Sequence, residues 1–241
     1  IGNITATATT GNAINANITA TTGNIGNITA TATSGNAINA NITASAGTVG
    51  NIDATATTGA AIAGGRTFSS LTSIGNISAT GTGLDGNGVT GALTVTSKAI
   101  GNVTLSGTAS TAGGTNGEAI TGALILGSTT ATTGTGSIGN ISATGSIGSV
   151  TLNGRASGGG FAGAVVGNFT HSQQTTGDDV DLNLANIYQI GNITQTTALA
   201  ASAGTVDIDS TGVETETVGA ISVAYNIDAF TTGNSSLQSI G

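Results

Sequence analysis

Apolar and polar residues alternate strictly at the start of the chain: in Asn3-Ile4-Thr5-Ala6-Thr7-Ala8-Thr9 every second side chain is apolar. A two-residue period puts one set of side chains on each face of an extended strand. Ile14-Asn15-Ala16-Asn17-Ile18-Thr19-Ala20 alternates in the same way and predicts a second strand. Gly-Asn pairs at 11–12, 23–24 and 35–36 close these runs, and both residue types suit the positive φ of a tight turn. Helical repeats need apolar residues both three and four apart, and in these runs the position three residues on is polar.

The pattern is itself repeated. Residues 1–24 and 25–48 are nearly identical, and VGNIDATATT at 49–58 opens a third copy. The anchor Ile/Val-Gly-x-Ile/Val/Phe returns at Ile74, Ile100, Ile138, Val166, Ile190 and Val218, and its first two residues close the chain as Ile240-Gly241. Successive spacings are 24, 24, 25, 26, 38, 28, 24, 28 and 22, with an extra copy at Ile147. Short strands inside a 24-residue period suit one turn of an all-β solenoid, each turn stacked on the last at about 4.8 Å. We therefore expect one right-handed parallel β-helix of about nine to ten turns across residues 1–241. Regular repeats would fill 1–99, irregular turns with longer side loops 100–189, and degenerate repeats 190–241.

Stacking makes columns. Ile4, Ile28, Ile52, Ile77, Val103, Ile141, Phe169, Ile193 and Ile221 are expected to form an inward column, with Ala6, Ala30, Ala54 and Ala79 beside it. Asn3, Asn27, Asn51, Asn76, Asn102, Asn140, Asn168 and Asn192 are expected to form an outward column whose amides hydrogen-bond to one another.

Composition narrows the function. The chain has 41 Gly, no Pro, Cys, Met or Trp, and only 6% charged residues. That excludes a disulfide scaffold and Cys-based metal sites. Three basic residues and a net charge of −8 argue against a nucleic-acid partner. No apolar run approaches the length of a membrane-spanning helix. A mean hydropathy of +0.26 argues against disorder.

The Ser/Gly-Ile-Gly-Asn-Ile-Thr/Ser-Ala pattern resembles the large β-strand-repeat proteins of bacterial surfaces and secretions. It is broadly similar to filamentous-haemagglutinin and autotransporter passenger solenoids. The resemblance implies an extracellular or cell-surface structural protein, a building block of a stiff fibre, sheath or surface layer, self-associating head to tail or laterally. The alternative is an adhesin stalk presenting a binding tip to a polysaccharide or cell surface. The resemblance carries over no functional residue. The sequence begins on the first residue of a repeat and stops at Ser239-Ile240-Gly241 part-way into another, which reads as a window of a longer array or as a subunit whose terminal turns stack on neighbours.

Four candidate chemistries remain. Thr5-x-Thr7-x-Thr9, Thr29-x-Thr31, Thr55-x-Thr57 and Ser78-x-Thr80 form hydroxyl rows of the ice-binding type, but the rows decay after the third unit and Asp53 interrupts one column. Ten Asn-x-Ser/Thr sequons occur, at Asn3, Asn17, Asn27, Asn41, Asn76, Asn102, Asn140, Asn168, Asn192 and Asn234; the strand pattern generates most of them automatically, so a structural role is expected. Asp178, Asp179 and Asp181 are a candidate Ca2+ set, although neither EF-hand nor Gly-Gly-x-Gly-x-Asp spacing is present, and no other cofactor is expected. Asp178-Asp179 with His171 is the single constellation suited to polysaccharide cleavage. The Gly-His-Gly and Arg-x-Lys elements of pectin hydrolases are missing, so no enzyme is expected. Arg155, Phe161, His171 and the Asp178 cluster, assigned to side loops, are the candidate partner contacts.

Overall fold

The computed structural model describes residues 1–84, 86–108, 117–128, 136–154, 164–173, 180–185, 187–197, 206–211, 217–223 and 229–232. It is an all-β solenoid of parallel strands, with no helix among the described residues. Sheet I holds nine strands, from Ile4–Thr10 through Ile28–Ser34, Ile52–Thr58, Ile77–Gly81, Val103–Ser106, Ile141–Thr144, Phe169–Gln173 and Ile193–Thr197 to Ile221–Val223. Sheet II also holds nine, from Ile18–Ala20 and Ile42–Ala44 through Arg66–Ser70, Leu93–Ser97, Leu124–Ser128, Val150–Gly154, Val180–Ala185 and Val206–Thr211 to Ala229–Thr232. Each strand pairs with its counterpart one turn away, so the chain makes nine passes through each of these sheets.

The register sets like on like. Ile4 pairs with Ile28, Ile28 with Ile52, Ile52 with Ile77, and the column continues through Val103, Ile141, Phe169 and Ile193 to Ile221. Beside it run Ala6, Ala30, Ala54, Ala79, Leu105, Ala143, His171 and Gln195. From Ile28 and Ala30 onward every residue of both columns up to the eighth turn is buried. In the first four turns and in the sixth, a large residue therefore stands next to Ala, which lets a narrow interior fill closely, whereas Leu105, His171 and Gln195 enlarge the second column in the fifth, seventh and eighth.

Two further walls were not evident from alternation. The anchor residues themselves stack as a third wall: Ile25, Val49 and Ile74 by single bridges, then Ile100, Ile138, Val166, Ile190 and Val218 within a six-stranded sheet III. A fourth column turns the corner between sheets I and II, through Ile14, Ile38, Ile62, Val89, Ile120 and Ile147. This places Ile147: it is the corner residue of its turn, not an extra anchor. The expected second strand at 14–20 is correspondingly broken, with a bridge at Ile14, a bend, and a strand only from Ile18 to Ala20.

Within this stack each side chain packs on its copies above and below, so one truncation is felt by three turns. Ile52, 1% exposed, lies between Ile28 and Ile77. Ile52→Ala is expected to destabilise the fold by about 2–5 kcal/mol, measured by chemical denaturation.

Candidate functional site

The feature that recurs on every turn is the corner leading from sheet III into sheet I. Its backbone groups are met in sequence. The anchor glycine donates its N–H to the carbonyl of the previous anchor, as Gly101 does to Ile74 at 2.9 Å and Gly139 to Ile100 at 2.9 Å. The first residue of the sheet I strand donates to the next turn's Asn carbonyl, as Ile77 does to Asn102 at 2.8 Å. Between them lies the Asn N–H, and the Oδ1 of the Asn one turn earlier accepts it. Asn27 donates to Asn3, Asn51 to Asn27, Asn76 to Asn51, Asn102 to Asn76, Asn140 to Asn102 and Asn168 to Asn140, all at 2.9 Å, and Asn192 to Asn168 at 2.8 Å. The bond survives sequence separations of 24, 25, 26, 28 and 38 residues.

The ladder therefore differs from the expected amide-to-amide chain. The Asn oxygen is spent on a main-chain donor, because an N–H at a corner has no strand carbonyl opposite it and would otherwise be unpaired. Amide-to-amide stacking is found at another corner, where Asn39 Nδ2 donates to Asn15 Oδ1 at 2.7 Å.

The same device appears in the Gly-Asn turns at Asn12, Asn24 and Asn36 and, within the run read as the second strand and its copy, at Asn17 and Asn41. Asn12 Oδ1 accepts from Asn36 N–H, Asn36 from Ala60, Asn17 from Asn41, Asn41 from Thr67 and Asn24 from Thr48, at 2.9–3.0 Å. In these Gly-Asn pairs the turn chemistry belongs to the glycine, with φ of 77° at Gly11 and 83° at Gly23. Nine of the ten sequon asparagines thus have Oδ1 engaged by the next turn, and Asn234 lies outside the described residues.

The anchor glycines have a different cause. A Cβ at Gly101 or Gly139 would stand 2.6 Å from the Oδ1 of Asn76 or Asn102 and 2.8 Å from the same residue's backbone nitrogen. Gly and Asn are therefore coupled across turns: the amide fills the space the side-chain-free residue leaves.

Outward positions of sheet I carry hydroxyls in the first eight turns, with Asp53 the one exception in the two columns. One column reads Thr5, Thr29, Asp53, Ser78, Thr104, Ser142, Thr170 and Thr194; the other reads Thr7, Thr31, Thr55, Thr80, Ser106, Thr144, Ser172 and Thr196. The expectation that these rows decay after the third unit is thus corrected. Longer turns shift the spacing between hydroxyls in the sequence, but register restores them to one face.

The charged and polar candidates separate. His171, expected in a side loop, lies in the sheet I strand Phe169–Gln173, is completely buried, and has Nε2 2.9 Å from the Gly145 carbonyl oxygen. It is an inward rung, since it pairs with Ala143 below and Gln195 above. Burial removes it from surface contact and from general acid–base work on a polymer. Gln195 is 3% exposed, and neither amide atom has a hydrogen-bond partner among the described residues. Asp181 is exposed on sheet II, within the strand Val180–Ala185. Asp178, Asp179, Arg155 and Phe161 lie outside the described residues. Among the described residues no three His, Cys, Asp or Glu side chains gather as a metal site. No protein-family model, curated protein or solved structure matches the chain.

Stability measurements on four variants test this account. Gly101→Ala should cost about 1–3 kcal/mol by overpacking. Asn76→Ala should cost about 1 kcal/mol by removing an acceptor. The double variant should cost less than the sum, because the missing amide relieves part of the clash. Gln195→Leu, which deletes two unpaired buried polar atoms, should instead raise stability by about 1–3 kcal/mol.

Proposed function

We propose that the chain is a mechanical element, a stiff segment of an extracellular fibre, sheath or surface layer that self-associates. One observation carries this reading: two parallel nine-stranded ladders run from turn to turn, and a side-chain ladder of Asn closes the corner that leads into the first of them. Bending such a stack requires backbone hydrogen bonds in several walls to lengthen together, which makes it rigid along its axis. The absence of Cys and Met leaves no easily oxidised sulfur, as suits a protein exposed outside the cell. The residues repeated from turn to turn are those that hold one turn on the next, and their repetition supports architecture over catalysis.

Electron microscopy of the purified chain, with diffraction from aligned samples, tests the proposal. Filaments whose axial repeat is the inter-strand spacing of about 4.8 Å are expected. Compact particles that never associate over a wide concentration range would refute it.

A further inference from the structure

We propose that the solvent face of sheet I is where two copies of this chain pair side by side. The inference rests on the structural reading above, in which the partner of a building block is another copy. Of the sixteen outward positions in the two columns of the first eight turns, every one except Asp53 is Thr or Ser.

Strand propensity favours outward Thr, but it acts equally on sheet II, which supplies a control within the same molecule. There the outward columns drift to Ile125, Asn153 and Asn183, and the backbone register sets exposed Asp181 opposite Asp207. Something beyond propensity keeps sheet I uniform.

Three properties of the face select a second copy as its occupant. The first is charge. The chain carries a net −8, yet these two columns hold one carboxylate, so this is a face on which two like-charged copies meet with little repulsion. The second is period. An occupant whose repeat differs from the inter-strand spacing runs out of step over eight rungs, whereas a second copy matches it by construction. The third is area. Nine strands spaced at about 4.8 Å and about five residues at 3.3 Å each give a face of about 700 Å². A pair would bury roughly 1,400 Å², within the range of about 1,200–2,000 Å² for stable interfaces.

Thr and Ser alternate freely along the columns, so the hydroxyl is the retained feature and the methyl is not. Hydroxyls both donate and accept, which lets one surface complement itself under two-fold symmetry. With nine rungs aligned antiparallel, the third rung meets the seventh. Asp53 then faces Thr170 of the second copy, a donor, and not another carboxylate.

Sedimentation equilibrium of the intact chain tests this, with circular dichroism to verify folding. Thr80→Glu with Thr144→Glu places charge on the fourth and sixth rungs of sheet I. Thr94→Glu with Thr151→Glu places the same charge on the same rungs of sheet II. At concentrations below filament assembly, the parent chain and the sheet II variant are expected to form dimers, and the sheet I variant to bind itself at least tenfold more weakly. A monomeric parent, or two variants that behave alike, overturns the proposal. So does thermal hysteresis of a monomeric parent that the sheet I changes abolish, since the face would then belong to ice. Axial filaments in micrographs report the structural reading separately: filaments with unaltered pairing in the sheet I variant remove this inference alone.

Discussion

Every turn of this molecule must leave one sheet and enter the next, and a corner is where strand pairing stops supplying hydrogen-bond partners. The fold depends on how that gap is closed. At the corner before sheet I, three consecutive N–H groups need acceptors and the neighbouring turns offer two carbonyls; the side chain of Asn supplies the third. An unpaired main-chain donor costs about as much as a lost hydrogen bond, and the deficit would recur on every turn. The Gly-Asn pair removes it each time. The bond is local to two adjacent turns, so it tolerates a turn of 38 residues as well as one of 24.

Once the corners fix the stacking, the interior follows. Columns of Ile, Val and Leu alternate with Ala because the space enclosed by sheets I, II and III is narrow. Phe169 continues the Ile/Val column between Ile141 and Ile193 and is buried. His171 and Gln195 break this rule on successive rungs. His171 has a carbonyl to bond and Gln195 has none among the described residues, so the second residue carries a desolvation cost that the hydrophobic stack around it absorbs.

The repeat spacing and the period-two alternation were enough to read the solenoid and the inward column from Ile4 to Ile221, because both are statements about register. They did not reveal the walls made by single residues. Ile14, Ile38 and Ile62 sit beside bends, where alternation has no length to show itself, and Ile147 mimicked an anchor because its corner also takes Ile-Gly. The Asn ladder was legible as a column but not as a bond, since a sequence shows which residues stack and not which atom meets which. His171 was misplaced for a related reason. A polar residue beside an irregular, Gly-rich stretch looks like loop, and only pairing with Ala143 and Gln195 shows that it continues the alternation inward.

The same stacking accounts for the composition that first set this chain apart. In a parallel in-register array, a residue type placed on an outward position tends to recur one rung away at about 4.8 Å. Two like charges at that distance repel by close to 1 kcal/mol even in water, and each interior rung has two such neighbours. Ionic screening acts over about 8 Å, too long a distance to suppress nearest-rung repulsion. A solenoid of identical rungs therefore cannot be built from Lys or Glu columns, whereas Thr, Ser and Asn columns gain from adjacency because each can donate to and accept from its copy. In the regular turns charge enters singly, as at Asp53 between Thr29 and Ser78 and at Arg66 beside Leu93, and like charges meet on adjacent rungs only later, where Asp181 pairs with Asp207. Proline is excluded on the same grounds, for its missing N–H would break a bond to the neighbouring turn. The low charge and the missing proline are thus consequences of the stacking before they are signs of where the protein works.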